Sequence, residues 1–162
     1  MTDNELPQKT GSCRCGIARF SILGRPLFRA YCHCLICQEF NESDYADITV
    51  FYRKDVSLED ENSVAFRVHQ QPPLLKRATC KSCGKPAIER LTIPLMPSMV
   101  VVPSYNIHEK GFLPKPELHN FYHRRKHDIV DNLPKHNGFV SSQFYFGLAA
   151  AKAMLSDRTR YV

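Results

Sequence analysis

Hydrophobic and polar positions alternate in short runs over most of this 162-residue chain. Ile17 to Leu23 (IARFSIL) alternates with the period of two that a half-buried strand requires, and Gly24 with Pro26 then ends the run. Phe28 to Tyr31 predicts a short second strand that delivers Cys32, and Leu35 to Phe40 reads as a turn of helix or a loop. Ala46 to Tyr52 (ADITVFY) and Val64 to Val68 are rich in β-branched and aromatic residues, which suit a pleated surface. Ala87 to Ile93 alternates again, and Met99 to Val102 is a compact apolar run between Pro97 and Pro103. Leu118 to Tyr122 follows a loop with Gly111, Pro114 and Pro116, and Leu133 to Gly138 reads as a turn. Helical spacing emerges once, near the end, where Phe144, Leu148, Ala151 and Leu155 recur within a proline-free run from Ser142. The pattern predicts a mainly β protein closed by an amphipathic C-terminal helix with those four residues as its apolar stripe.

Size and composition narrow this picture without changing it. An apolar fraction of 43% over 162 residues can bury one real core, so a single domain over residues 11–162 is expected, behind a polar, flexible segment 1–10. That segment lacks the apolar region of a secretory signal, and no run of about 18 apolar residues offers a membrane span. A soluble protein of a reducing compartment, the cytoplasm with the nucleus not excluded, is the expectation. The net charge of +6 permits an acidic partner, but the basic residues are dispersed.

The cysteines carry the chemistry. Their count, seven, is odd, and they sit at gaps of one or two residues, unlike the even sets of secreted disulfide frameworks. Three clusters hold them all: Cys13-Arg14-Cys15-Gly16, Cys32-His33-Cys34-Leu35-Ile36-Cys37 and Cys80-Lys81-Ser82-Cys83-Gly84. Zinc takes thiolates at about 2.3 Å in a tetrahedron, and a cysteine pair on a tight turn supplies two vertices from one loop. The glycines after Cys15 and Cys83 suit such turns, because a chain reversing around a metal often needs positive φ. Pooling Cys13, Cys15, Cys80 and Cys83 gives a closed four-thiolate site that staples distant parts of the chain. Cys32, Cys34 and Cys37 are then one ligand short of saturation, the pattern of catalytic zinc with an open position. Other readings stay open for the triplet: a structural site completed by a histidine or another cysteine, a redox pair, or an iron-sulfur cluster.

These motifs carry a family resemblance. Gly11 to Gly16 (GSCRCG) with Ala18-Arg19-Phe20 resembles the opening GSCHCGxxRF of the glutathione-dependent formaldehyde-activating enzyme family, with Arg14 in place of the common histidine. Cys32 to Cys37 is similar to that family's CHCxxC, and Cys80 to Arg90 (CKSCGKPAIER) to its CxxCGxxLxxR. Pro116 to His119 and Leu133-Pro134 match later family positions. The resemblance implies a tent-like arrangement of antiparallel sheets around a structural zinc on Cys13, Cys15, Cys80 and Cys83, and a second zinc on Cys32, Cys34 and Cys37. It also implies a carbon-sulfur lyase that joins formaldehyde to glutathione sulfur. Glutathione has two carboxylates, which makes Arg14, Arg19, Arg77 and Lys81 candidate partners.

Two histidines and one basic stretch complete the expectations. His33 lies between two ligand cysteines, either lining the pocket or pointing away from it, and His119 is either a pocket residue or a satisfied strand histidine. His123-Arg124-Arg125-Lys126-His127 is the most basic run, beside Asp128 and Asp131. It supports an alternative of a different class, a non-catalytic zinc-stabilised module that contacts nucleic acid or chromatin, although nothing beside it could read base edges. Nucleic acid is the less favoured partner, a small thiol such as glutathione the favoured one, with no membrane expected and the oligomeric state open.

Overall fold

The computed structural model describes residues 7–159. Ten strands form two sheets. The smaller holds β1 (Lys9–Ser12), β2 (Arg19–Ile22) and β5 (Val56–Leu58) in the order β1-β2-β5. The larger holds β3 (Phe28–Cys32), β4 (Ala46–Tyr52), β6 (Val64–Val68), β7 (Leu75–Cys80), β8 (Pro86–Leu91), β9 (Met99–Pro103) and β10 (Pro116–Asn120) in the order β10-β3-β4-β9-β8-β7-β6. A short helix α1 (Leu35–Asn41) follows β3, and a long one, α2 (Phe139–Thr159), follows β10. β1 takes in Lys9 and Thr10, and residues 1–6 of the leading segment lie outside the described residues.

The alternation along each strand builds three layers. In β9, Val100 and Val102 face one core with Phe20, Ile22, Phe51 and Val56, which lie on or beside the small sheet. Met99 and Val101 face the other, with Phe28, Ala30, Ile48, Val50 and the α2 alanines Ala149 and Ala150. The large sheet is therefore covered on both faces, which is why β9 reads as an unbroken apolar run. Phe20, Phe28 and Phe51 are fully buried, each contributing roughly 1.5–3 kcal/mol of apolar transfer.

Two expectations need correction. The sheets are antiparallel except at one edge, where β10 runs parallel to β3 with His119 beside Tyr31 and Asn120 beside Cys32. The apolar stripe of α2 also lies on the opposite side from the core. Ser142, Ala149 and Ala150 are buried, while Phe144, Leu148 and Leu155 are exposed. Small residues win the inward face because they let the helix close on the sheet. Phe146 meets Phe28 edge-on at 5.0 Å, and the Ser142 hydroxyl accepts the Phe121 amide at 2.8 Å. The helix is apolar on both sides and not amphipathic.

Candidate metal centre and thiol site

Two cysteine clusters assemble, and they belong to different cores. The first is built from two turns of one design. Cys13-Arg14-Cys15 leads into Gly16 at φ 79°, whose amide donates to the Cys13 carbonyl at 3.0 Å. Cys80 to Cys83 leads into Gly84 at φ 69°, whose amide donates to the Cys80 carbonyl at 2.8 Å. Both glycines take the left-handed conformation that a side chain would strain. The turns bring four sulfurs within 4.8 Å of one another. Cys13 and Cys15 are 3.5 Å apart, and Cys15 and Cys80 3.8 Å. A tetrahedron of thiolates about 2.3 Å from a central ion has edges of about 3.8 Å, so the donor set fits a closed metal site. Burial raises the Cys80 thiol, but the amides of Cys83 and Ser82 outweigh it and leave it at about 7, already poised to ionise.

The second cluster comes from one six-residue segment. Cys32 ends β3, and Cys34 caps α1, its sulfur accepting the Cys37 amide at 3.3 Å. The three sulfurs lie within 4.8 Å, with Cys32 and Cys37 buried and Cys34 half-buried. Hydrogen bonds from Cys32 and then Cys37 push the Cys34 thiol well below its ordinary value, and Cys32 and Cys37 are pushed up in return. A cation would relieve this frustration by ionising all three, and the set fits a metal that keeps one position open.

Two buried networks hold this segment. On one side Arg77, only 4% exposed, points at Cys37, its Nη2 3.7 Å from the sulfur. Its Nε pairs with Glu89 at 2.9 Å across the β7–β8 register, and its Nη1 finds no protein partner among the described residues. Burial pushes the Glu89 carboxyl up to about 7 against the pull of Arg77. On the other side His33, 1% exposed, has its Nε2 2.9 Å from Nδ1 of the buried His119, and Nε2 of His119 lies 2.8 Å from Asp131. Lys135, then His119, hold the Asp131 carboxyl down to about 2, so it acts only as an acceptor. His119 Nε2 donates to Asp131, the 2.9 Å contact joins His119 Nδ1 to His33 Nε2, and His33 Nδ1 is buried with no protein partner among the described residues. Burial pushes His33 down to about 4, which keeps it neutral. Gln38 donates to the carbonyls of His33 and Arg124 at 2.6 and 2.8 Å, tying the turn to the segment that follows β10.

The candidate residues divide clearly. His33 points away from solvent into a cage with Tyr45, Tyr122 and His119, and His119 is a buried link between His33 and Asp131. Arg77 faces the thiols and not a solvent-borne carboxylate. Arg19 and Lys81 are exposed, with Arg19 donating to the Gly16 carbonyl. Arg14 lines a cavity of about 440 Å³, with Ser12, Cys13, Tyr105 and His108, at the end of α1 marked by Asn41 and Glu42. In the basic stretch Arg125 pairs with Asp128, and Lys126 and His127 lie 3.4 and 3.6 Å from Asp44. Asp131 serves His119 and Lys135 instead. Glu89, Gln38 and Asp131 are site residues that the motifs alone do not single out, since Glu89 meets Arg77 across the β7–β8 register, Gln38 reaches the Arg124 carbonyl and Asp131 reaches His119.

A β scaffold with two cysteine clusters, each able to hold a metal ion, is the class that fold and site define. The sequence profile of the glutathione-dependent formaldehyde-activating enzyme matches residues 8–124, and the chain belongs to that family. A crystal structure of a Rhodobacter sphaeroides protein is similar over 62% of this chain and 88% of its own, at 16% identity and a TM-score of 0.49. No curated protein sequence matches the chain. Among the described residues no helix is long and apolar enough to cross a membrane.

Proposed function

We propose that this chain is a zinc-dependent carbon-sulfur lyase that joins the sulfur of glutathione, or of a related small thiol, to formaldehyde at Cys32, Cys34 and Cys37, reversibly. The observation that carries the reading is the unsaturated donor set. Three sulfurs converge, and among the described residues no fourth metal-binding side chain lies within reach. The nearest histidine, His33, is committed to His119 on one nitrogen and packed among aromatic rings. Cys13, Cys15, Cys80 and Cys83 form the saturated, structural counterpart.

Zinc fits both sets by softness and number of donors. When bound at the open set, it lowers the pKa of an entering thiol and polarises a carbonyl oxygen. The residues of the chain do the rest. Cys32, Cys34 and Cys37 hold the ion, and Arg77 offsets the negative charge of three thiolates joined by a substrate sulfur. His33, fixed by His119 and Asp131, locks the backbone between Cys32 and Cys34. In the forward direction the sulfur-carbon bond forms as the carbonyl π bond opens, and the thiol proton ends on the former carbonyl oxygen, so no oxidant or reductant is needed. Arg14, in the cavity at the end of α1, is the candidate partner for a substrate carboxylate. Seven free thiols suit the reducing cytoplasm.

The test is the exchange rate between glutathione, formaldehyde and their adduct, measured by magnetisation transfer on zinc-loaded protein. Wild type should exceed the spontaneous rate, and Cys34→Ser should fall to it with the fold intact. No acceleration by the wild type, with glutathione or with cysteine, sinks the lyase reading.

A further inference from the structure

The stripe on α2 that fails to face the core is the largest feature the thiol site leaves unused. Val140, Phe144, Leu148 and Leu155 are 80%, 62%, 52% and 62% exposed and, at 100° per residue, lie together opposite the buried Ala149 and Ala150. No residue from Phe139 to Ala151 carries a charge. Beside the far end of the stripe is an apolar groove of about 810 Å³, lined in part by Leu95, Met96, Ala151, Met154 and Leu155, with Leu95 fully exposed at φ 66°. A helix apolar on every side is normally buried on every side.

We propose that a second copy of this chain covers this face, with the two α2 helices packed antiparallel about a twofold axis between Leu148 and Ala151. Phe144, Leu148, Ala151 and Leu155 are spaced four, three and four residues apart, the rhythm of a helix-helix seam. In an antiparallel pair Phe144 falls opposite Leu155 and Leu148 opposite Ala151, so each copy supplies both a knob and a hole. Phe144 of the second copy meets the groove beside Ala151 and Leu155, and the contact repeats in reverse, as a twofold interface demands.

Area favours this occupant. Val140, Phe144, Tyr145, Leu148, Leu155 and Leu95 together expose on the order of 600–700 Å² of apolar side chain, close to the roughly 800 Å² per partner of a standard stable interface. A membrane surface is disfavoured, because a helix lying in a headgroup layer is flanked by lysines and arginines. Here α2 carries only Lys152 and Arg158, and the groove adds Arg53 and Lys54 beside its far end, leaving the stripe from Val140 to Leu148 without flanking cations on the helix. The stripe on α2 follows the family-matched residues 8–124, while the groove residues Leu95 and Met96 lie within them, and none of the seven cysteines lines the groove.

Sedimentation velocity of the full, zinc-loaded chain at about 10 and about 100 µM should report two chains of 18.6 kDa each. Leu148→Glu should weaken association at least about 100-fold, leaving circular dichroism and zinc content unchanged. Phe144→Ala, which adds no charge, should weaken it about 10-fold and serves if the first variant misfolds. A monomeric wild type at about 100 µM overturns the proposal, as does a dimer indifferent to both changes. Flotation with anionic phospholipid vesicles covers the other occupant. A wild type that is monomeric and floats, losing both vesicles and stripe together in Leu148→Glu, assigns the face to a membrane and overturns it too.

Discussion

The two cysteine clusters use the same atoms and are built in opposite ways. The four-sulfur cluster joins turns more than sixty residues apart, one in the small sheet's connection and one between β7 and β8, with Cys15 exposed and no charged side chain aimed at a sulfur in its hydrogen-bond set. The three-sulfur cluster is local in sequence, buried except for half-buried Cys34, and braced by Arg77–Glu89 on one side and His33–His119–Asp131 on the other. A metal that closes a long loop contributes folding free energy, whereas one bound within six residues adds little to closure and leaves its field for chemistry. On the proposed function, the buried polar networks surround the site that acts on something else.

The largest effect should separate the two. Cys83→Ser should cost on the order of 5 kcal/mol or leave the chain unfolded, while Cys34→Ser should retain its circular dichroism and lose one of two zinc equivalents by elemental analysis. Equal destabilisation by the two changes erases the contrast. Next comes Arg77→Met, which strands the buried Glu89 and should cost about 3–5 kcal/mol in urea denaturation, much of it recovered by adding Glu89→Gln. Zinc should weaken at the three-sulfur site only, and weakening at both would mean that the ion pair supports the sheet in general.

A smaller effect tests the histidine bracing. His119→Phe keeps the bulk between Tyr31 and Tyr122 but cuts His33 from Asp131, and should slow carbon-sulfur exchange about 10–100-fold with the four-sulfur zinc retained. An unchanged rate removes His119 from the site. The smallest concerns pH. Folded Asp131 releases its proton at about 2, below the value of about 4 for a free carboxyl. Its pairing with Lys135 and His119 therefore stabilises in full above about pH 5 and fades as pH falls through about 2. Wild type should exceed Asp131→Asn in stability by a constant amount above pH 5, and the gap should shrink toward pH 2. A gap that widens on acidification contradicts the pairing.

Much of this was legible in the chain. β4 and β6 begin and end where their β-branched runs do, and the glycines after Cys15 and Cys83 take positive φ as the turns require. β7 (Leu75–Cys80) was not, because LKRATC has no alternation to read. Its Arg77 looks like a surface residue until the thiols of a distant segment give it a reason to be buried. β1 and β5 were missed for want of apolar residues or length. The α2 stripe was visible but its direction was not, since spacing defines a face and says nothing of which neighbour it meets. The two cysteine clusters were readable because their spacing is local, whereas Arg77–Glu89 and His119–Asp131 come to the three-sulfur cluster only through pairing between distant elements.

The parallel docking of β10 onto β3 bears on how the molecule comes together in time. Pairing that must wait for a long intervening chain to close is slow, and β10 is the last strand made. It brings His119 and Asn120 to their places beside Cys32 and His33. Until it arrives, the edge of β3 is unpaired and three clustered thiols stand open to oxidation and to other chains. Nascent protein should thus be most vulnerable at Cys32, Cys34 and Cys37, and pulse-labelled amide exchange during refolding should find the β10 amides protected after those of β4 and β9.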